Sequence, residues 1–469
     1  MPAAGVTATR APAASDPTVA RPDTSDGSAA VGAASTGAPW RRSWVGLLVP
    51  ILVCGGALLT LAVGLAAKAL GADWGAPAQP LVVFLRPALS TWAIPAALVL
   101  GASLYGAVRL LRVDIAVRPV PFATATFVLT LLTRLALNVF RGGPGALDQP
   151  FVVGRAGEGR TEFLPALAWV EHGVGHFLDH FPDITAKLPI QAQGHPPGLL
   201  LTMHYLGIDS AEGLAALTIL VGALATPLLY LLARELTSEA EARAAALLFV
   251  FVPTSLLYGA TSADALFATL GVLAAVGLLA RRPANRVLGA AALALATFFS
   301  YALLAVGAWA ALVRWRREGL GAALRLAAIC AAVLVACFVA LDLLTGFDLI
   351  AAIRATDDRY REGIARLRPY AFWFFGSPAA FVLMLGPIAW FAARSLAAKE
   401  ASAVALAGVI AISVVAGYTK AETERIWIFL VPFACLAAAR SLPRRWLAPV
   451  LVGATAQAVL IEIFLFTKW

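Results

Sequence analysis

The sequence predicts an all-α polytopic membrane protein. It is a bundle of about 12–14 transmembrane helices, with interfacial helices in the external loops. Three observations carry this. Of 469 residues, 60% are hydrophobic and only 13% are charged, against about half apolar and a quarter charged in soluble domains. Mean hydropathy is +0.82, and apolar runs of roughly 20 residues, the length that crosses a bilayer, recur along most of the chain. The net charge of +9 comes mainly from Lys and Arg in short connections between those runs. That is the positive-inside pattern, and no nucleic-acid partner is expected. The four cysteines, Cys54, Cys330, Cys337 and Cys435, all lie inside apolar runs without a CxxC spacing. Neither a disulfide framework nor a Cys-ligated zinc site is indicated.

Residues 1–39 are rich in Ala, Pro, Ser, Thr and Gly, and they read as a disordered cytoplasmic tail. They are not a signal peptide, because the first apolar run starts only after Trp40-Arg41-Arg42-Ser43-Trp44. Residues 40–118 form a transmembrane hairpin with spans near 44–68 and 90–111. Arg41 and Arg42 lie before it, and Arg109, Arg112 and Arg118 follow it inside. A core over 119–440 opens with a span at 119–140, which leads to a long external loop at 141–195. Further spans are expected near 212–234, 241–259, 262–281, 322–345, 371–393, 401–417 and 425–441, and a final one over 441–469 near 446–466. Segment 195–208 is too short to cross and reads as a short or re-entrant helix. Segment 286–314 lies between two basic loops, so parity demands a broken hairpin with its apex near Phe299-Ser300-Tyr301.

This topology places loop 141–195, the turn Tyr258–Asp264, loop 346–370 and loop 418–424 outside the cytoplasm. These segments hold most of the polar residues that orientation does not explain, so a cleft on that face is expected. Arg134, Asn138 and Arg141 share one face of the third span, with Arg134 roughly 10 Å deeper than Arg141. Guanidinium groups there suit a phosphate, although each could snorkel to the head groups. Val170, Val174, Phe177, Leu178 and Phe181 recur at helical spacing and suggest a helix lying in the interface. His172, His176 and His180 occupy another face. No carboxylate at motif spacing completes a metal site, so a solvated polar face is the reading and no metal is expected. Loop 346–370 carries a second such helix, with Ile353, Tyr360, Ile364 and Leu367 as its apolar stripe.

Carboxylates in the long loop are Asp148, Glu158, Glu162, Glu171, Asp179 and Asp183. One of them beside a phosphate-binding Arg could act as a general base, and spacing alone does not choose among the six. His195 stands beside Pro196-Pro197 at a helix start, where it needs water or a polar partner. Asp264 begins a span, as a simple cap-region acid or as a second acid of the cleft. Lys420, Glu424 and Arg425 belong to a dense charge cluster between two apolar spans, which a solvated turn could also carry.

From about residue 119 to 440, these pieces in this order resemble the GT-C superfamily of polyprenyl-phosphate-sugar-dependent glycosyltransferases. The similarity is to the family 39-like branch, including protein mannosyltransferases and lipid A aminoarabinose transferases. The elements that carry it are Glu162 in Thr161-Glu162-Phe163-Leu164-Pro165, the segment 170–181, His195-Pro196-Pro197, and Pro253 followed by Asp264. Lys420–Trp427 looks like a segment of uncharacterised actinobacterial members, and the Ala- and Arg-rich composition fits such a source. The resemblance implies an inverting glycosyltransferase in the cell membrane with a cytoplasmic N-terminus and no cofactor. It would move a hexosyl or pentosyl group from a polyprenyl-phosphate sugar to a cell-envelope glycan, lipid or protein on the non-cytoplasmic face. By position, Glu162 becomes the catalytic base and Asp148 its substitute. Arg134, Asn138, Arg141, His195, Asp264, Lys420, Glu424 and Arg425 become substrate-binding residues. The alternative is a transporter or flippase of a lipid-linked sugar, which would share acidic and basic groups in a membrane cleft.

Overall fold

The computed structural model describes residues 44–112, 118–154, 158–260 and 262–467. The expected tail at 1–39 lies outside the described residues. The rest is an all-α polytopic membrane protein. Two-residue strands, Phe84–Leu85 and Leu465–Phe466, pair antiparallel with Phe84 opposite Phe466.

The first three helices are Trp44–Ala69, Ala93–Arg112 and Pro119–Gly142, close to the expected spans. The third begins with Pro at its first turn, where a missing N–H costs nothing. Among the described residues six helices are long and apolar enough to cross a membrane: these three, the 211–236 stretch, Leu320–Thr345 and Arg444–Phe464. Tyr370–Leu385 and Ile388–Ala397 meet at 117°, and counted together as one span they make a seventh by length and composition. Three shorter apolar helices, Ala263–Leu278, Pro283–Phe299 and Ala401–Ala416, bring the number to ten among the described residues, against the expected 12–14.

Prolines account for two of the breaks. The span expected over 241–259 ends at Phe251 and restarts as Pro253–Tyr258, because Pro253 lacks the N–H that would continue the ladder. Gly386, with φ 58°, and Pro387 break the 371–393 span in the same way. The broken segment 286–314 is found as expected. Pro283–Phe299 ends at the extended, buried Ser300, and Leu304–Glu318 follows a single 3-10 turn. Segment 195–208 gives a nine-residue helix, Gly198–Leu206.

Helix pairing relies on small residues, as is usual where lipid and side chains are equally apolar. Gly277 lies so close to Gly289 that a Cβ on either would overlap the other's backbone. Gly198 likewise lies against Phe298 O, which docks the short helix onto the Ser300 break.

The two ends of the bundle differ in chemistry. At one end the basic turns touch each other. Arg281 pairs with Glu235 at 3.2 Å, and Arg440 bridges Glu241 at 3.2 Å and Glu400 at 3.5 Å. Arg316 donates to Lys399 O and Arg317 to Leu236 O. The four segments expected on the opposite side of the membrane also meet. Thr356 donates to Gln193 O at 3.1 Å, Gly346 packs against Asp179, and Arg425 pairs with Asp264.

One loop element differs from expectation. Residues 170–181 are not a single interfacial helix but parts of three short ones, Leu167–Glu171, Val174–Asp179 and Phe181–Ile184. Gly173, at φ 122°, and Pro182 interrupt them. The apolar stripe of Val170, Phe177, Leu178 and Phe181 is buried in the protein core, not presented to lipid. Phe181 packs on Phe347 with ring centroids 5.8 Å apart. In loop 346–370 a helix forms over Leu349–Glu362, its start capped by Asp348 through the Ile350 and Ala351 N–H groups, but Ile364 and Leu367 of the expected stripe fall in a separate 3-10 turn.

Candidate functional site

A buried charge cluster occupies the end of the bundle where the four loops meet. Its centre is Arg425, 4% exposed, on the one-turn helix Thr423–Ile426. The guanidinium donates to Asp264 Oδ2 at 2.5 Å and to Glu422 Oε2 at 3.3 Å. Glu422 Oε1 accepts from Arg368 at 2.8 Å. Arg368 also donates to Lys420 O at 2.6 Å. Two guanidinium groups thus alternate with two carboxylates drawn from three chain segments.

The backbone is bent to achieve this. Ala421 and Glu422 adopt φ 65° and 60°, a left-handed pair without glycine. Such residues cost on the order of 1–3 kcal/mol each and persist where the surroundings fix them. Here the bend sets the Glu422 carboxylate between Arg368 and Arg425. Burial works against that carboxylate, but the charges of Arg425 and Arg368 outweigh it and hold the carboxyl below its ordinary value. Asp264 is both of the things its position suggested. It lies in the first turn of Ala263–Leu278, where Ser262 caps its N–H, and its carboxylate is the cluster's second acid.

Glu162 and His195 join from the long loop. Glu162 is 2% exposed and acts electrostatically on Arg425. The neighbouring Phe163 ring packs on His195 at 5.7 Å, and Phe267, one turn beyond Asp264, also packs on it at 5.0 Å. His195 Nδ1 is 2.7 Å from Gln191 O. A carbonyl only accepts, so Nδ1 carries the hydrogen and Nε2 keeps its lone pair. Burial pushes the imidazole below its usual value, which Asp264 partly opposes. The ring is therefore neutral at neutral pH.

Lys420 lies at the edge, half-buried, with Nζ 3.4 Å from Ala365 O and its N–H on Tyr360 Oη at 2.8 Å. Glu424 is nearly fully buried. Oε1 accepts from Val82 N at 2.7 Å, and among the described residues Oε2 has no hydrogen-bond partner. Burial pushes this carboxyl up to about 7, against the pull of the Val82 N–H.

The arginine face of the third span makes other contacts. Arg134 is 1% exposed, and its guanidinium donates to Gly259 O at 2.9 Å and Ser255 Oγ at 2.8 Å. It thereby holds the end of the broken helix Pro253–Tyr258, where a cation favours the terminal carbonyls. Asn138 bonds the carbonyl of Arg134 within its own helix at 2.9 Å. Arg141 is committed to carbonyls of Arg86, Glu462 and Leu465 and lies over the Phe466 ring at 5.4 Å, clamping the two short strands. Asp148 is half-buried before a 3-10 turn that its side chain does not cap.

No protein-family model and no curated protein matches this chain. Sequence reasoning missed Arg368, Glu422 and the 70–83 loop as parts of it. Arg368-Pro369 carried a signal, since an Arg closing an external loop lies outside the positive-inside pattern. Among the described residues no group of three His, Cys, Asp or Glu side chains is placed to hold a metal ion.

Proposed function

We propose that the chain is an integral glycosyltransferase of the cell membrane. It would move a sugar from a polyprenyl-phosphate donor to a hydroxyl acceptor on the non-cytoplasmic face. The observation that carries this reading is the gathering of Glu162, His195, Asp264 and Arg425. They come from three distant segments and form one buried polar group at the end of the bundle where the four loops meet. Buried ionisable residues at that density are expensive and cluster where chemistry is done.

The acceptor hydroxyl gives its proton to the Glu162 carboxylate as its oxygen attacks the anomeric carbon. The bond from that carbon to the phosphate oxygen breaks on the opposite face, and the electron pair leaves with the lipid phosphate. One displacement inverts the anomeric centre. The neutral His195 offers Nε2 as an acceptor that orients a hydroxyl. Asp264 and Glu422 fix the Arg425 guanidinium, and a fixed cation stabilises charge growing on the phosphate without reorganising. Lys420 at the edge supplies a second positive charge. Arg134 and Arg141, engaged with carbonyls elsewhere, are left with structural duties.

Incubation of the purified protein with radiolabelled polyprenyl-phosphate sugars and a mixed envelope acceptor tests the reading. Release of free lipid phosphate together with label in the acceptor is expected. Label that crosses a sealed proteoliposome while still attached to its lipid would mean transport instead.

A further inference from the structure

The loop after the first helix forms a strap over the charge cluster. Its own fold depends on Gln79, whose side-chain amide donates to Gly64 O and Ala72 O and accepts from Trp74 N. The strap is attached to the site at three points. Trp373 Nε1 donates to Trp74 O at 2.9 Å, Arg368 Nε to Gly75 O at 3.4 Å, and Val82 N to Glu424 Oε1 at 2.7 Å. Ala76, Val82, Trp373 and Ala421 form a small apolar cluster that is separate from the main core. The Trp74 ring packs at a tilt on Phe372 with centroids 4.4 Å apart. A satellite cluster of this size can open without disturbing the rest of the fold.

We propose that Glu424 is a proton-operated latch, which holds the 74–83 strap over the charge cluster and releases it when the carboxyl ionises. The geometry supports this independently of any transfer chemistry. One oxygen of Glu424 is bound by the strap, the carboxyl also meets its own backbone N–H, and Oε2 is buried with no hydrogen-bond partner among the described residues. A neutral acid is tolerated there far better than an anion. The charged and titratable groups around Glu424 are Glu422 and Arg425 on its own segment and Tyr258 from the helix beneath. Arg425 is already shared between Asp264 and Glu422. Arg368 is committed to Glu422 and the strap's Gly75. Asp73, just before the strap, is exposed and pairs with Lys68 at 3.1 Å.

The closed strap holds Glu424 at about 7, whereas an open, solvated carboxyl returns to about 4.3. The closed form therefore binds the proton more tightly. Closure is fully favoured below the solvated value and is lost as pH rises through about 7.

Hydrogen exchange of the full chain in lipid nanodiscs reads this directly, with rates corrected for the intrinsic effect of pH. Between about pH 6 and about pH 8, protection of the 74–83 strap should fall about tenfold while that of Ala263–Leu278 is unchanged. In Glu424→Gln, whose amide oxygen still accepts from Val82, strap protection should stay flat. A flat profile in the unmodified chain would overturn the latch. So would a fall shared with Ala263–Leu278, or an equal fall in Glu424→Gln. Should the variant not fold, the comparison of the two segments in the unmodified chain decides alone.

Discussion

At the residue scale, the site is a set of charges that cannot be removed one at a time. The Asp264 and Arg425 side chains are 6% and 5% exposed and 2.5 Å apart. Taking one partner from a buried pair leaves the other uncompensated, at a cost of about 3–5 kcal/mol. Glu422 still faces Arg425, so Asp264→Asn should lie near the lower end, about 3 kcal/mol. Thermal unfolding of the purified variant checks this, and an unchanged midpoint would show that the pair contributes nothing. The same scale explains what could not be read beforehand. Arg134, Asn138 and Arg141 share a helix face, and spacing alone made them one functional patch. Arg141 instead meets carbonyls 321 and 324 residues away, and Arg134 meets one 125 residues away. Nothing local announces such partners. Asp264 was legible because its duties coincide, a first-turn acid that also faces a cation.

At the element scale, which loops share one end of the bundle was more legible than helix continuity. Counting basic turns placed loops 141–195, 258–264, 346–370 and 418–424 on one side, and those segments do meet. Breaks at Pro253 and Pro387 were harder to foresee, since a proline within an apolar run can kink a helix or end it. The segment 170–181 was misjudged for a related reason. An amphipathic stripe shows that one face seeks an apolar partner, but not whether that partner is lipid or protein. Phe347 and the core supply it here. The closest helix contact yields a prediction. Gly277 sits against the backbone of Gly289, with no flexible side chain to give way. Gly277→Leu should therefore force Ala263–Leu278 and Pro283–Phe299 apart and lower the yield of monodisperse protein. Gly55→Leu, in open space on the first helix, should not. Equal behaviour of the two in size-exclusion chromatography would contradict this packing.

At the scale of the whole molecule, two ends of one apolar bundle carry different work. Basic turns cross-link one end, and a compact acid–base cluster, covered by the 74–83 strap, occupies the other. In the proposed reaction the leaving group is a phosphate carrying one ester-linked lipid, not a nucleotide diphosphate. Protein cations can neutralise it, so turnover should be unchanged in excess EDTA. Complete loss that added divalent metal restores would refute that expectation. The central claim is that Glu162, brought beside Arg425 and His195, removes the acceptor proton. It is tested most directly by lipid-phosphate release from purified Glu162→Gln measured beside Asp148→Asn. Loss of a general base costs about a hundred- to ten-thousandfold. Glu162→Gln should fall by that factor with its fold intact, while Asp148→Asn stays near the parent rate. Parent-level turnover by Glu162→Gln would contradict the account.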